Sequence, residues 1–316
     1  MEIQSFDYVY QNVMKKSNQI VTIIVLTYNS EDTIIETLNS IKLKTYNNIE
    51  LIISDDGSKD DTISICEQWL ELNGQIFSFY RLATVAENTG ISANCKRALK
   101  SYLGEWVKFF AGDDILLPSF VEEMVNFCIT ENFSVAISDM LILKGDTQTR
   151  FNALQKDRDK FFSLSQVGKY HFYLNFPFFL NTPSSFFKRS LFDSIQPFFE
   201  NYKLLEDQPL FYSILASGTD IGYLRKEVVI YRMHQKSITG DVNVQFSEDL
   251  YKCFCEFRKP YMKKDFKAAV LKMILSKYYY FMTNRFTGKT LKGKIILVSY
   301  NKIIKMVASA NNAHLK

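Results

Sequence analysis

The chain has little of what would announce a fold by itself. Tryptophan occurs twice and histidine three times, and the five cysteines (Cys66, Cys95, Cys128, Cys253, Cys255) are scattered and odd in number. Cys253-x-Cys255 is the one close pair, with no second pair to complete a zinc site, so reduced thiols are expected rather than a disulfide or zinc framework. No run approaches the roughly 18–20 uninterrupted apolar residues of a membrane-spanning helix. Met1 to Gln19 is polar and lacks a basic stretch leading into an apolar one, so no signal peptide is apparent and a cytoplasmic location is expected. Internal repeats and low-complexity linkers are missing too.

What is present is ordinary globular material, 316 residues that are 47% hydrophobic and 23% charged, with 27 Phe and 18 Tyr supplying a large aromatic stock. On a prior of about 100–200 residues per domain, one large domain or two modest ones fit. The net charge of +4 is a cancellation. Met1 to Tyr251 carries 23 Lys and Arg against 32 Asp and Glu, a net of −9, whereas Lys252 to Lys316 carries 15 against 2, a net of +13. An acidic body with a basic tail suggests an anionic partner for the tail.

The order of elements is regular at first. Ile20–Leu26 reads as a buried strand, and Ser30 as the cap of a helix with Ile34, Leu38 and Ile41 on one face. A second strand, Ile49–Ser54, precedes a helix with Ile63, Cys66 and Leu70 aligned. A third strand over Ile76–Leu82, a helix over Ile91–Leu103 and a fourth strand over Trp106–Phe110 complete a βαβαβαβ pattern, which predicts a mostly parallel sheet with helices on both faces. Polar clusters stand just after three of these strands: Thr27-Tyr28-Asn29, Asp55-Asp56-Gly57-Ser58 and Asp113-Asp114. Open α/β sheets bind ligands at the carboxyl ends of their strands, so three clusters in register make a site.

Beyond Pro118 the pattern loosens. Helix Ser119–Thr130 and strand Ser134–Leu143 are followed by a charged stretch, Lys144–Lys160, that reads as a loop. Phe172–Phe187, broken by Pro177 and Pro183, reads as a binding wall or irregular loop. A helix led by Leu204–Phe211, with Pro209 in its first turn, precedes a strand over Val228–Tyr231. From Glu248 the chain reads as basic helices.

These motifs, Val21–Ser30, Leu51–Asp60 and Phe110–Pro118, with Glu206-Asp207 at a helix head and Tyr231–Thr239 after a strand, resemble the family 2 glycosyltransferases over about Ile20 to Thr239. The resemblance implies a GT-A fold, α/β with a Rossmann-like mostly parallel sheet. It also implies inverting transfer from a nucleoside-diphosphate sugar, commonly UDP-linked, to a saccharide or lipid-linked glycan. It divides the chain into a transferase domain, 1–247 (20–118 for the nucleotide sugar, 119–247 for the acceptor), and a helical extension, 248–316.

The residue chemistry is compatible. A diphosphate leaving group needs its charge offset, and a hard cation such as Mn2+ or Mg2+ held by few carboxylates does so. The resemblance assigns metal to Asp114, metal-bound water or ribose to Asp113, and metal or diphosphate to His234. Ala111 stands where the family usually has the first acid of Asp-x-Asp. Asp55, with Asp56 second, is expected at the base, a carboxylate being able to accept a uracil imide N–H. Thr27, Tyr28 and Asn29 are expected to line the same pocket. Asn88 and Gly90 open a helix whose free amides favour anions, with Lys96 or Arg97 in reach of the diphosphate. Asp207 is the implied general base and Glu206 its orienting or acceptor-contacting neighbour.

In the tail, Phe266, Val270, Met273, Ile274, Tyr278 and Phe281, then Ile296, Tyr300, Ile303 and Val307, recur at helical spacing among lysines. Such basic amphipathic helices either lie on an anionic membrane surface, as a peripheral protein at its inner face, or cover the catalytic domain. The alternatives for the whole chain are a non-catalytic nucleotide-binding or regulatory module on the same fold, and a nucleic-acid binder, disfavoured because the tail has no reader motif.

Overall fold

A computed structural model describes residues 19–151, 154–177, 179–195, 201–234 and 244–264. The expected tail stripes from Phe266 onward, and Ser237 and Thr239, lie outside the described residues.

Four strands, β1 (Val21–Thr27), β2 (Ile49–Asp55), β3 (Phe79–Ala83) and β4 (Trp106–Ala111), lie parallel. They are separated by α1 (Ile34–Lys42), α2 (Thr62–Asn73) and α3 (Ile91–Ala98). Every residue of β1 and β2 is buried, as expected of strands covered on both faces. After β5 (Ile115–Leu116) and α4 (Phe120–Thr130) come β6 (Val135–Lys144), β7 (Thr147–Arg150), α5 (Gln155–Phe162), α6 (Gln166–Asn175), β8 (Ser185–Lys188) and α7 (Arg189–Ser194). Then follow α8 (Asp207–Ala216), β9 (Gly222–Arg232) and α9 (Val244–Cys253), which continues through Phe254–Arg258 to Lys259–Lys264 in altered winding.

The strands form one mixed sheet in the order β3-β2-β1-β4-β8-β6-β9-β5, with β7 paired to β6. β8 runs antiparallel to both β4 and β6, and β6 and β9 are parallel, so β1, β2, β4, β6 and β9 all end at the same edge. Alternation along the strands sorts the interior into two layers. Ile24, Leu26, Val107, Phe109 and Ile137 meet α3, α6, α8 and Cys253 of α9 on one face. Val21, Ile23, Val25, Leu51 and Phe110 meet α1, α2 and α4 on the other. Both layers run across the expected donor and acceptor segments. The expected boundary at 247 falls inside α9, whose Phe246, Leu250 and Cys253 pack on the first layer.

Several expectations need correction. Ser30 makes no helix cap: α1 begins at Ile34 with Thr33 before it, and the Ser30 carbonyl accepts the amides of both. The helix expected to reach Leu103 stops at Ala98. Lys144–Lys160 holds a strand and the start of a helix, because β7 is a short exposed hairpin partner and α5 buries Arg158 and Phe161 from a polar sequence. Phe172–Phe187 holds the irregular loop expected between α6 and β8, but its described rings form no exposed wall. Its first residues belong to α6 and its last to β8, and Tyr173, Phe179, Phe186 and Phe187 are interior rings. Phe161 and Phe179, for example, meet at 4.8 Å. These rings fill the core.

Candidate active site

The carboxyl ends of β1, β2 and β4 bring the three polar clusters together. Asn29 adopts a left-handed backbone, φ 49°, so that its amide donates to Ser58 Oγ at 2.8 Å and its side-chain oxygen accepts from the Lys59 amide at 2.8 Å. Thr27 is buried with its hydroxyl unpartnered, beside Gly112. Tyr28 projects at the rim, 44% exposed.

Asp55 is wholly buried and organises its own loop. One oxygen accepts the amides of Gly57 and Ser58 at 3.0 and 2.9 Å, and the other accepts the Ser58 hydroxyl at 2.5 Å. Gly57 sits at φ 80°, where a Cβ would come within 2.7 Å of the Glu87 backbone. Asp56 is equally committed. It accepts the amides of Thr89 and Gly90 at 3.0 and 2.7 Å, the Thr89 hydroxyl at 2.6 Å and Arg97 Nη2 at 2.8 Å. These bonds fill the start of α3 from within the chain. The anion at the start of α3 is the chain's own Asp56, and Arg97 is its ion-pair partner. Gly90, at φ 96°, packs where a side chain would strike Lys203. Asn88 is exposed on the approach to it and Lys96 is half-buried on α3.

The turn after β4 carries Asp113 and Asp114. Asp114 is fully buried: Oδ1 accepts the Arg232 amide at 2.9 Å, and Oδ2 has no partner. Burial first, then the adjacent Asp113 charge, pushes its carboxyl well above the usual range, against the pull of the Arg232 amide and of Lys108. Asp113 is more exposed, and its Oδ2 lies 2.8 Å from His234 Nε2. Arg232, at the end of β9, donates from Nε to the Asp113 carbonyl at 2.8 Å and from Nη2 to Glu36. Asp113, Asp114 and His234 are thus neighbours, yet among the described residues no three His, Cys, Asp or Glu side chains form a ready-made metal cage. The orphaned Asp114 oxygen still fits a cation held by one or two carboxylates with the remaining positions left to phosphate and water, as Mg2+ commonly is.

Glu206 and Asp207 head α8. Glu206 Oε1 accepts the Thr182 hydroxyl at 3.1 Å, and Asp207 Oδ1 accepts the Gln208 amide at 2.6 Å. Burial, then the Asp207 charge, raises Glu206 to about 8; burial raises Asp207 to about 6. Both carboxyls are thus pushed above the usual range, and a pair of that kind can divide into one ionised and one protonated member. Two residues that sequence reasoning missed hold the surroundings. Asp249 of α9 accepts the amides of Lys203 and Leu204 at 2.8 and 2.6 Å, just ahead of Glu206. Lys108, buried in β4, bonds the loop that carries Thr182. Asp249 lay in a stretch read as extension, but a charged residue inside the apolar run Trp106–Phe110 was a visible signal.

A mixed sheet with carboxylates at its strand ends and helices on both faces defines a GT-A-type α/β architecture. Residues 22–195, more than half of the sequence, match the model of Glycosyl transferase family 2. The chain belongs to that family. It is 25% identical over 225 residues to glycosyltransferase GlyA of Streptococcus pneumoniae, covering 69% of this chain and 31% of GlyA. It is also 31% identical over 128 residues to the Escherichia coli UDP-Glc:alpha-D-GlcNAc-diphosphoundecaprenol beta-1,3-glucosyltransferase WfaP, covering 40% of this chain and 48% of WfaP. Several of the relatives it matches are about three times as long as the matched stretch. In fold it is similar to S. aureus TarS 1–349 solved with UDP-GlcNAc, TM-score 0.58 at 17% identity, covering 91% of this chain and 81% of that one. The Pyrobaculum calidifontis mannosyltransferase PcManGT, solved with GDP-Man and Mn2+, gives TM-score 0.57 at 17% identity over 93% of this chain and 86% of that one.

Proposed function

We propose that the chain is an inverting glycosyltransferase that moves a sugar from a UDP-linked donor to a saccharide or lipid-linked glycan. The carrying observation is the raised carboxyl pair Glu206-Asp207 in the same molecule as the orphaned Asp114 carboxylate at the β4 turn. The nucleotide sugars bound in TarS and PcManGT support the donor class, and the diphosphoundecaprenol acceptor in the name of WfaP supports a lipid-linked acceptor.

In this reading the donor belongs to 20–118 and the acceptor to 119–247. Tyr28 packs on the base at the rim, while Asp55 and Asp56 shape the loops around it and leave direct contact to exposed groups. Asp207 accepts the proton of the acceptor hydroxyl as its oxygen attacks the anomeric carbon from the face opposite the diphosphate. The new glycosidic bond forms as the bond to the phosphate oxygen breaks, and the diphosphate leaves with its electron pair. Asp114 and Asp113 would hold a divalent cation, with His234 beside Asp113, and that cation offsets the leaving charge when bound. Protonated Glu206 orients the acceptor. The basic segment 252–316 rests on an anionic membrane surface, where a lipid-linked acceptor would be presented.

The test is nucleoside-diphosphate release from a panel of UDP- and GDP-sugars, with diphospholipid-linked saccharides as acceptors and Mn2+ or Mg2+ present. Turnover with at least one donor, abolished by chelation and restored by Mn2+, is expected. Absence of donor binding and turnover in every metal would overturn the reading.

A further inference from the structure

Lys108 has no part in the chemistry above, yet it occupies an expensive position. It lies in the middle of β4 with no exposed surface, on the same strand face as Trp106 and Phe110. Its ammonium sits 5.5 Å from the centre of the Phe110 ring and 4.9 Å from that of Phe120. An apolar residue would fill this place without the cost of desolvating a cation. No carboxylate forms an ion pair with it among the described residues. Its three donors go instead to backbone carbonyls of one loop: Thr182 at 3.1 Å, Ser185 at 3.2 Å, and Pro183.

That loop joins α6 to β8 and is also braced by its own small side chains. Asn181 Oδ1 accepts the Ser184 amide and hydroxyl at 3.1 and 2.9 Å, and the Thr182 carbonyl also accepts the Ser185 hydroxyl at 2.8 Å. It is also tied to β6, whose Ser138 amide donates to the Ser184 carbonyl at 2.9 Å. Its connection to the carboxyl pair is the Thr182 hydroxyl, which donates to Glu206. Three residues after Lys108 the same strand ends, and the turn carrying Asp113 and Asp114 begins. One rigid strand therefore carries the metal-side carboxylates at its end and, through Lys108, fixes the loop that bonds the carboxyl pair.

We infer that Lys108 is a positioning residue: its ammonium gathers the 182–185 carbonyls so that the Thr182 hydroxyl holds Glu206 in place beside Asp207, at a fixed distance from the β4 turn. The inference rests on the proposed role of the Glu206-Asp207 pair for its catalytic meaning, but the strut itself is a statement about Glu206. Burial pulls the Lys108 ammonium down to about 7, with the Asp114 charge opposing; charged, it donates to the carbonyls and lies against the two ring faces.

A hydroxyl that donates to a carboxylate stabilises the ionised form, so losing it raises that group's pKa. The test follows the Glu206 carboxyl carbon by NMR through a pH titration of the full-length protein, labelled with 13C-glutamate. The signal is assigned by its loss in Glu206→Gln. Thr182→Val is expected to move the Glu206 midpoint upward by about one unit, a tenfold change in proton affinity, and Thr182→Ser to restore it. Lys108→Met, which leaves Thr182 in the sequence but frees its loop, is expected to move the midpoint in the same direction. Should that variant not fold, Lys108→Arg, which keeps donors and charge but not their placement, replaces it. In turnover, Lys108→Met and Thr182→Val are expected to lower kcat at least tenfold while the affinity for UDP with Mn2+ stays within twofold. A Glu206 midpoint unmoved in the folded Lys108 variants, or in Thr182→Val, would overturn the inference. If the midpoint moves as stated while the wild type turns over no donor, the strut stands and the proposed reaction falls.

Discussion

At the scale of single residues, the site is built from carboxyl groups with different environments. Asp55 and Asp56 are surrounded by donors of their own chain, Asp114 has one oxygen satisfied and one orphaned, and Glu206 and Asp207 share a poorly solvated helix start. The last pair makes a prediction about stability. Glu206 binds its proton more tightly in the fold than in the unfolded chain, so ionising it costs stability progressively as pH rises from about 4.5 through about 8. Glu206→Gln removes that cost. Its melting temperature relative to wild type is expected to rise between about pH 5 and about pH 8.5; a constant difference would show that Glu206 is not perturbed. The types of these residues were legible in the sequence, and their division of labour was not. The sequence holds two Asp in each of two turns. Only the bonds to Ser58, Arg97 and Arg232 separate the loop organisers from the half-satisfied Asp114.

At the scale of elements, the four parallel strands and their helices could be read directly, because buried strands and amphipathic helices write different periods into the chain. The misreadings have physical reasons. α5 presents Gln155-Lys-Asp-Arg-Asp-Lys160 as if it were a loop, yet it buries Arg158 against Asp139 at 2.6 Å and closes with two phenylalanines. The aromatic segment after Phe172 looked like a ligand wall because aromatic content cannot distinguish core from cleft. The start of α3 looked open to phosphate because its capping group, Asp56, is 34 residues from Gly90 in the chain. That cap is testable. Asp56→Ala leaves Arg97 without its ionic partner and two amides without an acceptor. A loss of about 2–3 kcal/mol is expected, a fall of roughly 3–6 °C in Tm. A change below about 1 °C would mean that water replaces the clamp at no cost.

At the scale of the whole molecule, one sheet supports every part of the site. Residues before and after Pro118 share both hydrophobic layers, and α9 joins the first of them through Phe246, Leu250 and Cys253. Part of what read as a separate extension is therefore built into the transferase, with Asp249 reaching the loop ahead of Glu206. Among the described residues no helix is long and apolar enough to cross a membrane. The charge asymmetry still distinguishes the tail, with a net of +13 over 252–316. The full chain is expected to co-sediment with vesicles containing anionic lipid, less so as salt rises, and not with neutral ones. Equal recovery on both, or none on either, would remove the membrane from the account.

The central claim is that Asp207 is the base of a sugar transfer, and its pH dependence tests this most directly. With the donor found in the screen, kcat/KM is measured from about pH 5 to 9 for wild type and Asp207→Asn. Because Asp207 must be ionised to take the acceptor proton, the wild-type value is expected to fall on the acid side with a midpoint near the about 6 set by its burial. Asp207→Asn should lose activity by roughly 10²–10⁴-fold while still binding UDP. An Asp207→Asn enzyme within a few-fold of wild type, with the same acid limb, would contradict the account.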